Sequence, residues 1–128
     1  MRSGTPLGRV RGLGAANEGT HHWLNQRVTA ASNLFLMAWL LIAVARLGSY
    51  DYAAMHAWVR SAWVAIPLIL LVVSVFYHFR LGLQVLIEDY QHDAARVVSL
   101  FALNFFVVAT GGIAIFSILK VAFSGSPA

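Results

Sequence analysis

The sequence contains no cysteine and little charge. None of its 128 residues is Cys, and only 11% are Asp, Glu, Lys or Arg. Without a thiol, the chain itself forms no disulfide and ligates no iron–sulfur cluster through cysteine. A soluble domain carries about 25% charged residues. The low charge, together with 59% apolar residues and a mean hydropathy of +0.72, therefore indicates an integral membrane protein.

Motifs typical of soluble enzymes and of nucleic-acid-binding proteins are missing as well. The sequence has no glycine-rich phosphate-binding loop, no Ser–His–acid set and no cluster of metal ligands. The net charge is +4, but the basic residues are thinly spread and do not alternate with aromatic residues, so nucleic-acid binding is not expected. We expect the basic residues to set the membrane topology and to contact anionic headgroups of the lipid bilayer or acidic partners.

Three apolar segments are long enough to cross a bilayer, which takes about 20 residues. They cover residues 28–45, 62–87 and 97–119. The predicted fold class is therefore all-α, an integral membrane protein with three transmembrane helices. The predicted domains are a cytoplasmic N-terminal arm, a three-helix transmembrane domain and a short tail, at residues 1–27, 28–120 and 121–128. Several Tyr and Trp residues in the connection 46–61 favour a short helix at the membrane surface.

The basic residues near the ends of the spans predict the orientation. With the N-terminus inside, the inner side holds Arg2, Arg9, Arg11, Arg27 and Arg96, and the outer side holds Arg46, Arg60 and Lys120. The positive-inside rule then places the N-terminus in the cytoplasm and the C-terminus in the periplasm. Because the first 27 residues contain no apolar core of a secretory signal, and their glycines argue against a transit helix, we expect a bacterial inner-membrane protein.

His78 is the strongest candidate for a cofactor ligand. It lies inside the second span, and ionisable residues inside a membrane are functional suspects because they are costly to place there. Asp89 falls only about 20° away around the helix and about 16 Å along it, with Gly82 on the same stripe. Neutral imidazole is a standard axial ligand of haem iron, and Gly82 would let a porphyrin or another helix come close. The alternative is a histidine that only hydrogen-bonds between helices.

The other histidines fall outside the three spans. They are His21, His22, His56 and His92. The chain therefore offers one ligand at membrane depth, and a six-coordinate haem would need a second histidine from another protein chain.

Three further positions carry chemistry that the sequence leaves open. Tyr90 could donate to a quinone carbonyl while Asp89 orients it or relays protons, or both could simply lie at the interface. Arg27 could neutralise haem propionates or only anchor the chain at the inner surface. Arg80 points about 200° away from His78, and we expect it to have either a protein partner, in another subunit or a quinone-site network, or a lipid phosphate.

The chain resembles the small hydrophobic membrane-anchor chain of succinate dehydrogenase (respiratory complex II), of the type that binds haem b. The resemblance rests on three spans, a basic N-terminal arm and the pattern His78-x3-Gly82-x6-Asp89-Tyr90 in the second span. The segment His21-x5-Arg27-x-Thr29 is similar to the family pattern too, and Gln84-Val85 is similar to its Gln-Val one position displaced. Arg80 departs from the pattern, because some members have tryptophan there.

The resemblance implies a helical bundle with a second anchor subunit, the cytochrome b subunit. This bundle would dock an iron–sulfur subunit and a flavoprotein subunit, which carry the iron–sulfur clusters and the FAD. His78 would be one axial ligand of haem b, with Arg27 and His21 on its propionates. Tyr90 would hydrogen-bond ubiquinone with Asp89 in support. The chain would be part of the enzyme without a catalytic residue for succinate.

Two other functions stay open at this point. The chain could be the haem b anchor of a fumarate reductase or of another quinone-linked oxidoreductase, because the sequence does not set the direction of electron flow. It could also be a non-redox membrane adaptor, in which His78 and Arg80 only hold helices together.

Overall fold

Residues 5–7 and 17–125 are described in the computed structural model, and residues 17–125 form four helices. The helices are α1 (Asn17–Ala45), α2 (Tyr52–Arg60), α3 (Ala62–Tyr90) and α4 (Asp93–Phe123). No strand occurs in these described ranges. Helices α1, α3 and α4 are long and apolar enough to cross a membrane, so the prediction of an all-α chain with three transmembrane helices is confirmed.

The long helices extend beyond the segments that the apolar pattern predicts. Helix α1 begins at Asn17, well before Val28, so the last part of the predicted arm is helical. The reason is physical: an apolar run marks the part of a helix that is in lipid, whereas backbone hydrogen bonding continues through the polar ends. Residues 1–4 and 8–16, with Arg2, Arg9 and Arg11, lie outside the described residues, and the limits of the three spans stay predictions.

Helix α3 is central among the three long helices. It packs against α1 on one side and against α4 on the other, while α1 and α4 do not contact each other within the described residues. The buried apolar side chains accordingly come from α3 and α4: Val64, Ala65, Leu71, Leu81 and Leu103. Only 6% to 17% of the most apolar window of each long helix is buried. The rest of this apolar surface requires lipid or a partner protein to cover it.

Helix α2 lies at one end of this layer, between α1 and α3 in the chain. Its N-cap is Asp51, whose side chain accepts a hydrogen bond of 2.7 Å from the Ala54 N–H. That bond, with a second from the Ser49 hydroxyl, lowers the pKa of the exposed Asp51 carboxyl. The helix packs against α3 and α4, and His56 Nε2 lies 3.0 Å from the Ser124 hydroxyl beyond α4. The aromatic residues of this connection predict a short helix, and the structure contains one.

The opposite end of the layer is formed by the turn between α3 and α4. Asp93 has a φ of 53°, a left-handed conformation that Asp adopts more readily than most residues, and it turns the chain into α4. The turn brings Arg96 within 3.7 Å of Glu88, which joins the two helices by an ion pair at their polar ends.

Candidate functional site

His78 lies in the middle of α3 and faces α1. Its Nδ1 is 3.0 Å from the hydroxyl of Thr29, and both side chains are half-buried. None of the described residues hydrogen-bonds the other ring nitrogen, Nε2. The contact places the imidazole in the seam between two apolar helices, with Nδ1 held by Thr29 and Nε2 without a hydrogen-bond partner among the described residues.

Gly82 lies one helical turn from His78 and also faces α1. A Cβ atom built on Gly82 would lie 3.6 Å from Nε2 of Gln26. The structure therefore shows another helix beside this glycine, which is one of the two roles the sequence suggested for it. The Oε1 atom of Gln26 is buried and has no hydrogen-bond partner among the described residues.

A cavity of about 610 Å³ lies between the start of α1 and the end of α3. Small, aromatic and polar side chains line it: Gly19, His22, Trp23, Gln26, Gly82, Gln84, Val85 and Glu88. Its volume falls in the range of cofactor and ligand sites, which is about 300–1,000 Å³. His22 contributes a second buried atom without a partner, Nε2. Leaving such an atom unpaired costs about 1–3 kcal/mol, so these two atoms favour a polar group of a ligand or partner in this cavity.

Arg27 and His21 do not come together in the structure. Arg27 is exposed, and its guanidinium lies 5.2 Å from the ring centre of Trp23. His21 is exposed on another side of α1, where it lines a second cavity of about 330 Å³. The two residues are about 120° apart around the helix. If Arg27 and His21 both bind haem propionates, the two propionates must therefore lie on different sides of α1.

Asp89 and Tyr90 end α3 at the polar end of the layer. The side chain of Tyr90 is 78% exposed, and it lines a shallow cavity of about 250 Å³ with Leu86, Ile87 and Gln91. Asp89 is exposed and has no hydrogen bond or ion pair within the described residues. Both groups are thus open to a ligand or a partner protein.

Arg80 faces α4, on the other side of α3 from His78. Its Nε donates to Oδ1 of Asn104 at 2.5 Å, and Nδ2 of Asn104 in turn donates to the carbonyl of Leu100. The protein partner expected for Arg80 is therefore in this chain. Arg80 also lines the cavity of about 330 Å³ that His21 lines, together with His22, Asn25, Tyr77, Leu81 and Gln84.

Three residues of α1 have contacts or unpaired atoms in this seam to which the sequence analysis assigned no role. They are Thr29, His22 and Gln26, although Thr29 belongs to the segment that is similar to the family pattern. Each is a polar residue at the edge of, or inside, an apolar helix, and such residues need partners. The cost of burying these polar side chains in an apolar helix could have marked them as functional candidates. It does not indicate which helix supplies their partners.

Comparison with known protein families shows which family the chain belongs to. The protein-family model described as succinate dehydrogenase/fumarate reductase transmembrane subunit matches residues 1–113. The chain belongs to this family. Membership agrees with the three apolar helices, and together they make this a multi-pass membrane protein.

Relatives in the family have similar sequences over most of the chain. A succinate dehydrogenase hydrophobic membrane anchor subunit from Rickettsia bellii is 35% identical over 82 residues, which are 64% of this chain and 66% of that protein. The subunit of the same name from Paracoccus denitrificans is 33% identical over 97 residues, 75% of this chain and 74% of that protein. The match thus spans just under two thirds of the Rickettsia protein. No solved structure matches this chain significantly.

Proposed function

We propose that this chain is a membrane-anchor subunit of a succinate:ubiquinone oxidoreductase, and that His78 provides one axial ligand of haem b. The observation that carries the proposal is the state of His78: it lies at mid-helix, bonded at Nδ1 to Thr29, with Nε2 without a partner in the described chain. A transmembrane subunit of this family that holds an imidazole in this way has the donor that haem iron takes.

The residues around His78 fit a haem. Gly82, one turn from His78, has no side chain and lines the cavity between α1 and α3. The same cavity is lined by His22 and Gln26, each of which has a buried polar atom without a partner in the described residues. Arg27 and His21 would supply positive charge for propionates on two sides of α1. When bound, haem b supplies a one-electron redox centre within the membrane. The second axial ligand would come from a companion cytochrome b subunit, because the other histidines of this chain lie outside the three predicted spans.

Tyr90 and Asp89 would contribute to the site of quinone reduction. In this proposal the Tyr90 hydroxyl donates to one ubiquinone carbonyl, and Asp89 orients the ligand or passes protons from the cytoplasm. Reduction of the quinone to the quinol takes two electrons and two protons. The electrons would come from succinate through the flavin and iron–sulfur clusters of partner subunits. The exposure of both side chains at the polar end of α3 supports this role.

The partner subunits would cover the apolar surface that the chain leaves open. The large exposed side chains include Phe35, Leu41, Phe101, Phe105 and Phe116. Some would face lipid and others the companion anchor subunit, which completes the helical bundle. The N-terminus and the Tyr90 end would face the cytoplasm of a bacterial cell, where the iron–sulfur and flavoprotein subunits dock.

A fumarate reductase anchor is the second candidate. The family description names both enzymes, and the residues above serve a quinone in either direction of electron flow. The quinone that co-purifies with the complex separates the two, because the direction depends on the potential of the quinone. Ubiquinone supports our proposal, and a low-potential quinone would favour fumarate reduction.

Removal and replacement of the chain test the proposed function. In a host that lacks its own copy, we expect this chain to restore succinate:quinone reductase activity to the membranes.

The Tyr90→Phe variant should assemble but lose activity by on the order of 100-fold, because the hydroxyl that polarises the carbonyl is gone. Tyr52 is a matched control, since it is 74% exposed in α2 at the other end of the layer. Tyr52→Phe should keep full activity.

Two results would contradict the proposal. Membranes that lack this chain but keep normal succinate:quinone reductase activity would remove the anchor function. Normal activity of Tyr90→Phe would remove Tyr90 from the quinone site. Succinate oxidation measured with a water-soluble dye is the internal reference, because it needs only the flavoprotein and iron–sulfur subunits.

A further inference from the structure

The hydroxyl of Thr29 lies close to three polar atoms at once. It is 2.7 Å from the carbonyl oxygen of Asn25 and 3.2 Å from that of Gln26, both about one turn earlier in α1, and 3.0 Å from Nδ1 of His78. A hydroxyl has one proton to donate and two lone pairs to accept with. Both carbonyl oxygens can only accept, so the proton of Thr29 is donated to the backbone, at the shorter distance to Asn25. The oxygen of Thr29 is then an acceptor toward His78.

This arrangement determines which nitrogen of His78 carries the proton. If the Thr29 oxygen accepts, Nδ1 of the imidazole must be the N–H that donates. The neutral ring then has its lone pair on Nε2. A lone pair on Nε2 is what an iron ligand requires, and the opposite tautomer would present an N–H there instead.

We propose that Thr29 is a positioning residue for His78: its hydroxyl accepts the hydrogen bond of Nδ1–H and so holds the tautomer and ring orientation in which Nε2 binds haem iron. This inference rests on the proposed haem function of His78. It adds a role for Thr29 that the sequence pattern alone did not assign.

The packing of α1 on α3 keeps the two groups at this distance. On the polar side of the contact Gln26 lies against Gly82, and on the other side the Ser74 hydroxyl donates to the backbone carbonyl of Thr29 at 3.4 Å. Thr29 and His78 are half-buried between apolar helices, where few other acceptors are available to Nδ1–H. Loss of the Thr29 hydroxyl would therefore leave that N–H unpaired.

The Thr29→Val variant removes the acceptor with little change of shape, since both side chains are β-branched. We expect the assembled complex to hold haem with on the order of 10- to 100-fold lower affinity, as for other partners of metal-bound histidines. The midpoint potential should rise, because an imidazole without this hydrogen bond is a weaker donor to ferric iron. A tenfold loss of the preference for ferric iron is about 59 mV. The signals of ferric haem in electron paramagnetic resonance should shift as well.

Two further variants separate a hydrogen bond from packing. Thr29→Ser keeps the hydroxyl and should return potential and affinity toward the wild-type values. Ser32 is the matched control, because its hydroxyl bonds to the carbonyl of Val28 at 2.9 Å on the same helix and does not reach His78. Ser32→Ala should leave the haem unchanged.

The outcomes distinguish this inference from the proposed function. A wild-type complex without haem, or haem that is unaffected by His78→Ala, would overturn the haem function itself. Haem that depends on His78 but has the same affinity, potential and resonance signals in Thr29→Val would overturn only the role of Thr29. Thr29→Ser behaving like Thr29→Val would also overturn it, since serine retains the hydroxyl.

Discussion

Helix α3 makes two seams that differ in what they leave unpaired. In the α1–α3 seam the contacts are polar and loosely filled: Thr29 meets His78, Asn25 donates to Tyr77, and three cavities lie between the helices. Two buried polar atoms at the cavity of about 610 Å³, on His22 and Gln26, have no partner in the described chain. Cavities and unpaired polar atoms are what a binding site shows when its ligand or partner is not bound.

The α3–α4 seam is closed by packing and by polar pairs that have their partners: Arg80 with Asn104 within the helices, and Glu88 with Arg96 at their polar ends. Gly111 lets α4 approach the ring of Phe76, which would lie 3.7 Å from an added Cβ. The rings of Phe79 and Phe106 lie 6.2 Å apart, a distance at which aromatic pairs attract. Two ionisable residues only two positions apart, His78 and Arg80, therefore differ in their surroundings: His78 contacts Thr29 of α1 and has no partner at Nε2 within the described residues, whereas Arg80 is paired with Asn104 of α4.

The largest expected effect on the closed seam comes from the partner of Arg80. The Asn104→Leu variant leaves the guanidinium without its acceptor, and a hydrogen bond to a charged group contributes about 1.5–3 kcal/mol. We expect the complex in mild detergent to lose stability by about this amount, measured by thermal unfolding. The haem signal should still be present, because the substituted residue Asn104 lies in α4 and does not contact His78, whose Nδ1 is held by Thr29 of α1.

The double variant Arg80→Leu/Asn104→Leu tests the same point from the other direction. Replacing both partners by apolar side chains removes the unpaired charge, so stability should return to near the wild-type value. A double variant as unstable as Asn104→Leu alone would show that the pair does not act as a unit. An altered haem signal in either variant would break the separation between the two seams.

A smaller effect is expected where the helices approach each other. Gly111→Leu would push against Phe76 and cost about 1–3 kcal/mol of stability, the usual range for overpacking. Gly112 is the matched control, because a Cβ there meets no atom within 4 Å. Thermal unfolding of the two leucine variants side by side checks this prediction. Equal stability of both would contradict the close packing of α4 on α3.

The sequence was sufficient to predict which residues share one face of helix α3. Three predicted spans correspond to three long helices, and α3 runs without interruption through the stripe of His78, Gly82 and Asp89. This worked because the period of the α-helix is fixed, so spacing along one helix determines which residues share a face. No partner helix is needed for that inference.

Contacts between helices could not be predicted, because they depend on register. The predicted first span begins at Val28, which would place Thr29 at the membrane surface, far from His78 at mid-span. In the structure α1 begins at Asn17, so Thr29 lies about 18 Å into the helix, level with His78. The partner of Arg80 was not predicted either: it was expected in another subunit, a quinone-site network or the lipid, and the structure has Asn104 of this chain there. Arg80 and Asn104 lie at similar depths, each about 15–17 Å from the α3–α4 turn.

The most direct test of the account is a dithionite-reduced minus oxidised visible spectrum of the complex purified through a tag on this chain. It should be recorded for the wild type, for His78→Ala and for His92→Ala, an exposed histidine in the α3–α4 turn. We predict a b-type haem signal in the wild type and in His92→Ala, lost or altered in His78→Ala with the subunits still assembled. An intact wild-type complex without haem, or an unchanged signal in His78→Ala, would contradict the assignment of the α1–α3 seam as a cofactor site.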